Sequence, residues 1–232
     1  MDFEQVTAVV FDLDGTLCRY AVSIEKAMAE ALKRGGYSCE LLGDCAEAAA
    51  RYKELWHEEA LIHDVDWPLR ERLWRRLLEE NGTNDVALAR ALAEHFTQIR
   101  VPEICLFGGV HELLVDLKRR YRLGLLTNGP TDMQWQKIDS LGIAPLFDVV
   151  VVSGDEGVHK PDRHIFDVLL TRLGTSPRET LYVGDSHAMD IVGARRAEMC
   201  SVWVNRENER NAQEIRPDAE ITEITELREL LL

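Results

Sequence analysis

Two aspartates separated by one residue, Asp12 and Asp14, close the stretch Val-Thr-Ala-Val-Val-Phe-Asp-Leu-Asp-Gly-Thr at residues 6–16. In an extended chain residues i and i+2 point to the same side, so both carboxylates face one spot. Two carboxylates that close do not both ionise freely unless a cation lies between them or one keeps a proton. A metal-neutralised aspartate can act as a nucleophile, and a proton-holding neighbour can act as an acid. Asp-Leu-Asp-Gly-Thr is also good chemistry for a plain surface turn, so the pair needs company before it marks a site.

Three further clusters supply that company. Thr127-Asn128-Gly129 follows the apolar run at 123–126. A hydroxyl, an amide and a glycine there can present donors to a phosphate oxygen, though Asn-Gly is equally a common turn dipeptide. Lys160-Pro161 follows four consecutive valines at 149–152 and the loop 153–159. Proline fixes the backbone and starts the next helix. A fixed lysine near a carboxylate pair is a point charge that can hold both a phosphoryl oxygen and a nucleophile; the competing role is an exposed surface lysine. The last cluster, Gly184-Asp185-Ser186-His187-Ala188-Met189-Asp190, follows the run 181–183. Mg²⁺ takes hard oxygen ligands, commonly one or two carboxylates with waters and substrate phosphate. Asp185 together with Asp12 meets that need; alternatively, Asp185 and Asp190 merely complement a helix N-terminus.

The elements that must position these residues follow from periodicity. The run 6–11 is apolar and β-branched, suiting a buried strand or a buried helix segment, and Gly15 argues for a strand that ends there. From residue 18 to about residue 100 helix formers take over, with helices expected at 23–34, 45–62, 68–80 and 84–99. Ser23 is a good N-cap, Gly35-Gly36 and Asn81-Gly82 are stops, and Pro68 suits a first turn. From residue 101 the pattern alternates: helix 109–120, strand 123–127, helix 131–141, strand 147–152, helix 162–173, strand 180–183, helix 188–197 and strand 201–204. The four valines predict a strand buried on both faces. A charged tail begins at residue 205, with a short helix at 222–232.

Strands alternating with helices predict an α/β fold, a doubly wound, Rossmann-type parallel sheet with right-handed connections. Its domain comprises residues 1–17 and 101–232, interrupted by an α-helical domain at 18–100. All four polar clusters then fall at carboxyl ends of strands. In a parallel sheet those ends share one edge, where open α/β sheets bind ligands.

Composition narrows the partners. Lys+Arg number 27 and Asp+Glu 41, for a net charge of −14 over 232 residues. A chain this acidic is a poor nucleic-acid or anionic-membrane binder through its overall field. Positive charge for a phosphorylated ligand must be supplied locally, by a metal or a few placed Lys and Arg. The five cysteines are odd in number and lack a Cys-x-x-Cys pair, which predicts free thiols in a reducing compartment, with no disulfide framework or zinc site. Cys18 reads as a small buried hydrophobe. The N-terminus has no basic, apolar signal pattern, and no apolar run approaches the roughly 18 residues of a membrane span. A soluble cytoplasmic protein, monomer or homodimer, is expected.

Taken in order, Asp12-Leu13-Asp14-Gly15-Thr16, Thr127-Asn128-Gly129, Lys160-Pro161 and Gly184-Asp185 with Asp190 resemble the four motifs of the haloacid dehalogenase-like (HAD) hydrolase superfamily. The resemblance covers nearly the whole chain, and the insert at 18–100 resembles that family's helical cap. It implies a Mg²⁺-dependent phosphatase acting on a small phosphorylated metabolite. Asp12 would form an aspartyl-phosphate, and Asp14 would protonate the leaving alkoxide and then activate water. Thr127 and Lys160 would hold the transferring phosphoryl group, with Thr16, Asn128 and Gly129 in the substrate-binding set. Asp12, the backbone carbonyl of Asp14 and Asp185 would bind Mg²⁺, with Asp190 supporting the metal site.

In the second half of the chain, the run from Leu125 to Asn205 resembles the helical-cap branch that contains N-acylneuraminate-9-phosphatase and a pyrimidine 5′-nucleotidase. The family's dehalogenases are a rival, but they lack a second acidic residue in the first motif, and Asp14 is present. Phosphonate hydrolysis would need a cap lysine, and nothing singles out Lys26, Lys33 or Lys53. A non-catalytic binding module would need a lost catalytic group, and none is lost. Arg19, Tyr20, Trp56, His57, His63 and Trp67 are candidate pocket residues, for each of which packing or exposure is the competing role. The run 57–63 lacks the His-Glu-x-x-His spacing of a zinc protease.

Overall fold

The computed structural model describes residues 3–60, 67–208 and 215–232. The chain begins with β1 (Ala8–Phe11) and the short β2 (Cys18–Tyr20). Helices α1 (Ile24–Arg34), α2 (Cys45–Ala60), α3 (Trp67–Glu80) and α4 (Val86–Arg100) follow, then β3 (Ile104–Leu106) and α5 (Val110–Leu117). Next come β4 (Arg122–Thr127), α6 (Thr131–Leu141), β5 (Val149–Val152), α7 (Ser153–Glu156), α8 (Arg163–Leu173) and β6 (Thr180–Gly184). The chain ends with α9 (Val192–Arg196), β7 (Cys200–Val204), β8 (Ala219–Ile221) and α10 (Leu227–Leu231). These elements form two compact units, Met1–Arg19 with Leu106–Leu232, and Tyr20–Cys105.

In the first unit six strands run parallel in the order β5-β4-β1-β6-β7-β8. Central β1 is buried along its whole length. Ala8 and Val10 pack with Ile165, Phe166 and Leu169 of α8; alternation turns Val9 and Phe11 to the opposite face. Burial on both faces is why the run is uniformly apolar. Phe11 sits opposite Leu125 of β4 and Val183 of β6. The three central strands therefore end side by side, and the residues just after them emerge together.

The second unit is organised around an apolar core of Met28, Leu32, Leu55, Leu73, Trp74, Leu92 and Phe96. Its helices start where capping side chains permit. Ser23 accepts from the Lys26 N–H, Asp44 from Ala46 and Glu47, and Asp85 from Leu88, each supplying a partner for otherwise orphaned donors. Trp74 meets the Phe96 ring edge-on with centroids 5.8 Å apart, a favoured aromatic geometry.

Several expectations change. Cys39 and Cys45 form a disulfide, so the expectation of free thiols throughout is wrong; Cys18, Cys105 and Cys200 are free. The two bonded residues are six apart, flanking the turn that leads into α2. An odd cysteine count does not forbid one local bridge. The valine strand is not buried on both faces: β5 is a sheet edge, and Val149 and Val150 are partly exposed. Strands β2, β3 and β8 and the one-turn α7 lie where none was expected. Each is three or four residues long, too short for a periodic signal; β8 forms because β7 offers it an edge. The expected helix 188–197 is a π-helical turn at His187–Ile191 running into α9.

Candidate active site

Asp12 follows β1 directly, and its N–H still donates to the Val183 carbonyl at 3.0 Å. The ladder thus holds the residue in place, with its side chain almost fully buried. The chain then turns back tightly, with the Leu17 and Cys18 N–H groups donating to the Leu13 carbonyl at 3.0 and 3.1 Å. Gly15 has φ +89°, and a Cβ there would overlap the Asp185 carboxylate, so the position excludes other residues on two counts. Thr16, fully buried, donates from Oγ1 to Asp185 Oδ1 at 3.0 Å. Arg206 donates to the carbonyls of Gly15 and Thr16 while stacking 3.7 Å above the Phe107 ring.

Lys160 is the junction of the site. Its Nζ donates to Asp12 Oδ1 at 2.6 Å, Asp190 Oδ1 at 2.7 Å, the Tyr182 hydroxyl at 3.0 Å and the Leu126 carbonyl at 3.1 Å. Burial alone would lower the lysine pKa, but the Asp12 and Asp190 carboxylates outweigh it and hold the group well above its ordinary value. The ammonium stays charged. Asp12 is shifted upward, first by burial and then by Asp190 and Asp185, against the opposing pull of Lys160. Burial, with Asp190 adding, pushes Asp185 up to about 7.

These shifts register one buried ammonium among three carboxylates. Asp12, Asp185 and Asp190 each bring a carboxylate oxygen into a group within 4.8 Å of one another. Hard oxygen donors with uncompensated negative charge suit Mg²⁺. Asp190 is already engaged: Oδ1 accepts from Lys160 and Tyr182, and Oδ2 from the Ser186 N–H at 2.9 Å. Asp12 and Asp185 are the better direct ligands, with Asp190 holding Lys160 and the loop. Gly184 makes room for this, since a Cβ there would overlap the Asp190 side chain.

The Asn128 side chain clamps the Lys160 backbone. Its Nδ2 donates to the Lys160 carbonyl at 3.0 Å, and its Oδ1 accepts from the Lys160 N–H at 2.9 Å. The Gly129 N–H donates to Ser153 Oγ at 2.9 Å. In this structure both groups tie β4 to the segment carrying the lysine. Thr127 is buried and its Oγ1 accepts from Gln134 Nε2. The same Gln134 nitrogen donates to Asp14 Oδ2 at 3.0 Å, and Lys137 Nζ reaches the two Asp14 oxygens at 2.9 and 2.7 Å.

Gln134, Lys137, Tyr182 and Arg206 did not emerge from the sequence reading. A signal existed for two of them: Gln134 and Lys137 fall on the buried stripe of α6 with Met133 and Ile138. Polar residues on such a stripe need a partner.

The candidate pocket residues fare differently. The Arg19 guanidinium lies 5.8 Å from the Phe107 ring centroid, and Arg100 lies 4.0 Å over the Tyr20 ring. Trp56 is partly buried against the helical core. Lys26, Lys33 and Lys53 are exposed on the helical unit. His63 and the side chains of His57 and Trp67 lie outside the described residues.

With this geometry, likeness to known proteins acquires meaning. Residues 6–198 match the model of the haloacid dehalogenase-like hydrolases. Phosphoserine phosphatase of Thermus thermophilus is 37% identical, over 94% of this chain and 96% of its own. N-acylneuraminate-9-phosphatase of Homo sapiens is 32% identical over 89% of this chain and 85% of its own. The crystal structure of the HAD-hydrolase YfnB from Bacillus subtilis, bound to magnesium, aligns with a TM-score of 0.79 at 26% identity, over 98% of this chain and 99% of that one. The chain belongs to the haloacid dehalogenase-like hydrolase family.

Proposed function

We propose that this HAD-like phosphatase hydrolyses a small soluble phosphomonoester through an aspartyl-phosphate on Asp12. The observation that carries the proposal is the buried Lys160 ammonium joining Asp12 to Asp190 at the sheet edge. Asp12 Oδ attacks phosphorus while Lys160 holds the carboxylate and a phosphoryl oxygen in place. Asp14 gives a proton to the leaving alkoxide. It then takes one from the water that attacks the aspartyl-phosphate, returning Asp12 and releasing phosphate. Thr127 supplies a hydroxyl toward the phosphoryl group, Thr16 holds Asp185 through its own hydroxyl, and Asn128 and Gly129 shape the cradle by tying β4 to the segment that carries Lys160. Mg²⁺, held by Asp12, Asp185 and the Asp14 carbonyl with Asp190 in support, would offset negative charge on the phosphoryl group.

Two relatives that bear the names of phosphatases support the substrate class. The proposal extends to the inserted helices, 18–100 in the sequence reading, as a cap that closes over a small metabolite. It also extends to a cytoplasmic monomer or homodimer that needs neither nucleic acid nor membrane. No helix among the described residues is long and apolar enough to cross a membrane; the Cys39–Cys45 bond counts against a reducing compartment.

The test is phosphate release from a panel of small phosphomonoesters, with Mg²⁺ and with EDTA, beside Asp12→Asn. Turnover should require Mg²⁺ and fall by about 10⁴-fold or more in the variant. An Asp12→Asn protein of undiminished activity, or metal-independent halide release from a 2-haloacid, overturns the proposal.

A further inference from the structure

The Asp14 carboxylate is met by two side chains that the chemistry above does not use. Gln134 and Lys137 are three apart on α6 and so share a face. Both are almost completely buried, at 1% and 3% exposure, whereas the Asp14 side chain they reach is 34% exposed. Taking an ammonium out of water costs several kcal/mol unless it is well paired. Lys137 meets that cost with both oxygens of one carboxylate, at 2.7 and 2.9 Å. A fold needing only an α6 anchor would place an apolar residue here at lower cost. Gln134 adds direction: one Nε2 donates to both Asp14 Oδ2 and Thr127 Oγ1. It thereby couples the proton-transfer carboxylate to the hydroxyl at the end of β4.

We infer that Lys137 and Gln134 are positioning residues that fix the Asp14 carboxylate for proton transfer to the leaving group. Two donors from a rigid helix define the plane and direction of a side chain that otherwise turns freely about two torsions. This inference rests on the phosphomonoesterase proposal and assigns α6 a part in it. Fixing the acid matters in proportion to how much the leaving oxygen needs a proton. An alkoxide leaves poorly without one; p-nitrophenolate leaves well unaided.

The experiment compares kcat/KM for an alkyl phosphate and for p-nitrophenyl phosphate, since kcat/KM reports the steps up to leaving-group departure. The proteins are the native chain, Lys137→Met, Lys137→Arg, Gln134→Leu, Asp14→Asn and Asp12→Asn. Asp14→Asn sets the full effect, on the order of 10²–10⁴-fold for the alkyl ester. Lys137→Met and Gln134→Leu should each lose about 10- to 100-fold on the alkyl ester and less than about threefold on the aryl ester. Lys137→Arg, which keeps two donors, should recover most of the loss. Equal losses on both esters would show a merely structural role and overturn the inference, as would no loss in either variant. If Lys137→Met does not fold, Gln134→Leu decides alone, because it removes no charge. Asp12→Asn keeps the two failures apart: undiminished turnover there overturns the phosphatase proposal, whereas equal ester losses with an inactive Asp12→Asn overturn only the positioning role.

Discussion

The two units both bury an apolar core but differ in the polar groups they bury beside it. The α/β unit hides Asp12, Thr16, Thr127, Gln134, Lys137, Lys160 and Asp190 from solvent. The helical unit hides Trp74, Phe96 and a set of leucines, and among its described residues only Glu59 and Arg70 are buried charges. Its ion pairs gather at the surface instead, where Arg51 meets Glu54, Glu58 and Glu80. Pairs of that kind contribute about 0–1 kcal/mol each. A buried charge costs several kcal/mol before pairing, so a fold accumulates such charges where chemistry needs them. The comparison teaches where the strained electrostatics reside: buried charges concentrate in the sheet unit, while apolar packing dominates the helical one.

Removing the central cation should strain the contrast most. Lys160→Met leaves Asp12 and Asp190 buried without their ammonium. We expect loss of activity by about 10³-fold or more and a stability loss of about 3–5 kcal/mol at pH 8. Denaturant unfolding should show a smaller loss at pH 5, because Asp12 and Asp185 take up protons more readily than ordinary carboxylates. A Lys160→Met protein as stable as the native chain at pH 8 would break the comparison.

A smaller effect follows in the metal-free native protein. Asp185 titrates at about 7 when folded and at roughly 3.9 when unfolded, so the folded state holds its proton more tightly. The stability from that proton is complete below about pH 4 and is lost as pH rises through about 7. With EDTA, thermal midpoints should fall by on the order of 5 °C between pH 5 and pH 8. Mg²⁺ should reverse the fall, since it binds the ionised carboxylates, and Asp185→Asn should flatten it. A midpoint that is flat without metal, or equally steep in Asp185→Asn, would show that the site's carboxylates are not under tension.

The smallest effect belongs to the helical unit. Its disulfide closes a loop of six residues, so replacing Cys39 and Cys45 with serine should cost about 2 kcal/mol. Thermal unfolding checks this, and kcat for the panel ester should stay within about twofold, because neither cysteine belongs to the carboxylate cluster of Asp12, Asp185 and Asp190. A large drop in kcat would mean that the two units do not divide the work as their burial suggests.

Much of the fold was legible from local patterns. The apolar runs ending in Asp12, Thr127 and the Gly184-Asp185 pair read as strands because periodicity and glycine or proline breaks act over a few residues. Ser23 and Pro68 marked helix starts for the same reason. Residues 12, 14, 160, 185 and 190 each had a plain alternative role and stood out because their clusters all fall at the carboxyl ends of expected strands, which a parallel sheet brings to one edge.

What the tertiary structure alone decided is pairing across the chain. Lys160 reaches Asp12 over 148 positions and Lys137 reaches Asp14 over 123. No local propensity encodes either contact. They exist because β1 is laid between β4 and β6, and because burial makes an unpaired ammonium too costly to leave. The same holds for the exposed edge of β5, the late addition of β8 and the Cys39–Cys45 bond: each depends on which neighbour arrives. Sequence determined the chemical groups and the elements that carry them. Desolvation in the folded state determined which groups meet, and hence which carboxylates share the Lys160 ammonium and which is held by Lys137.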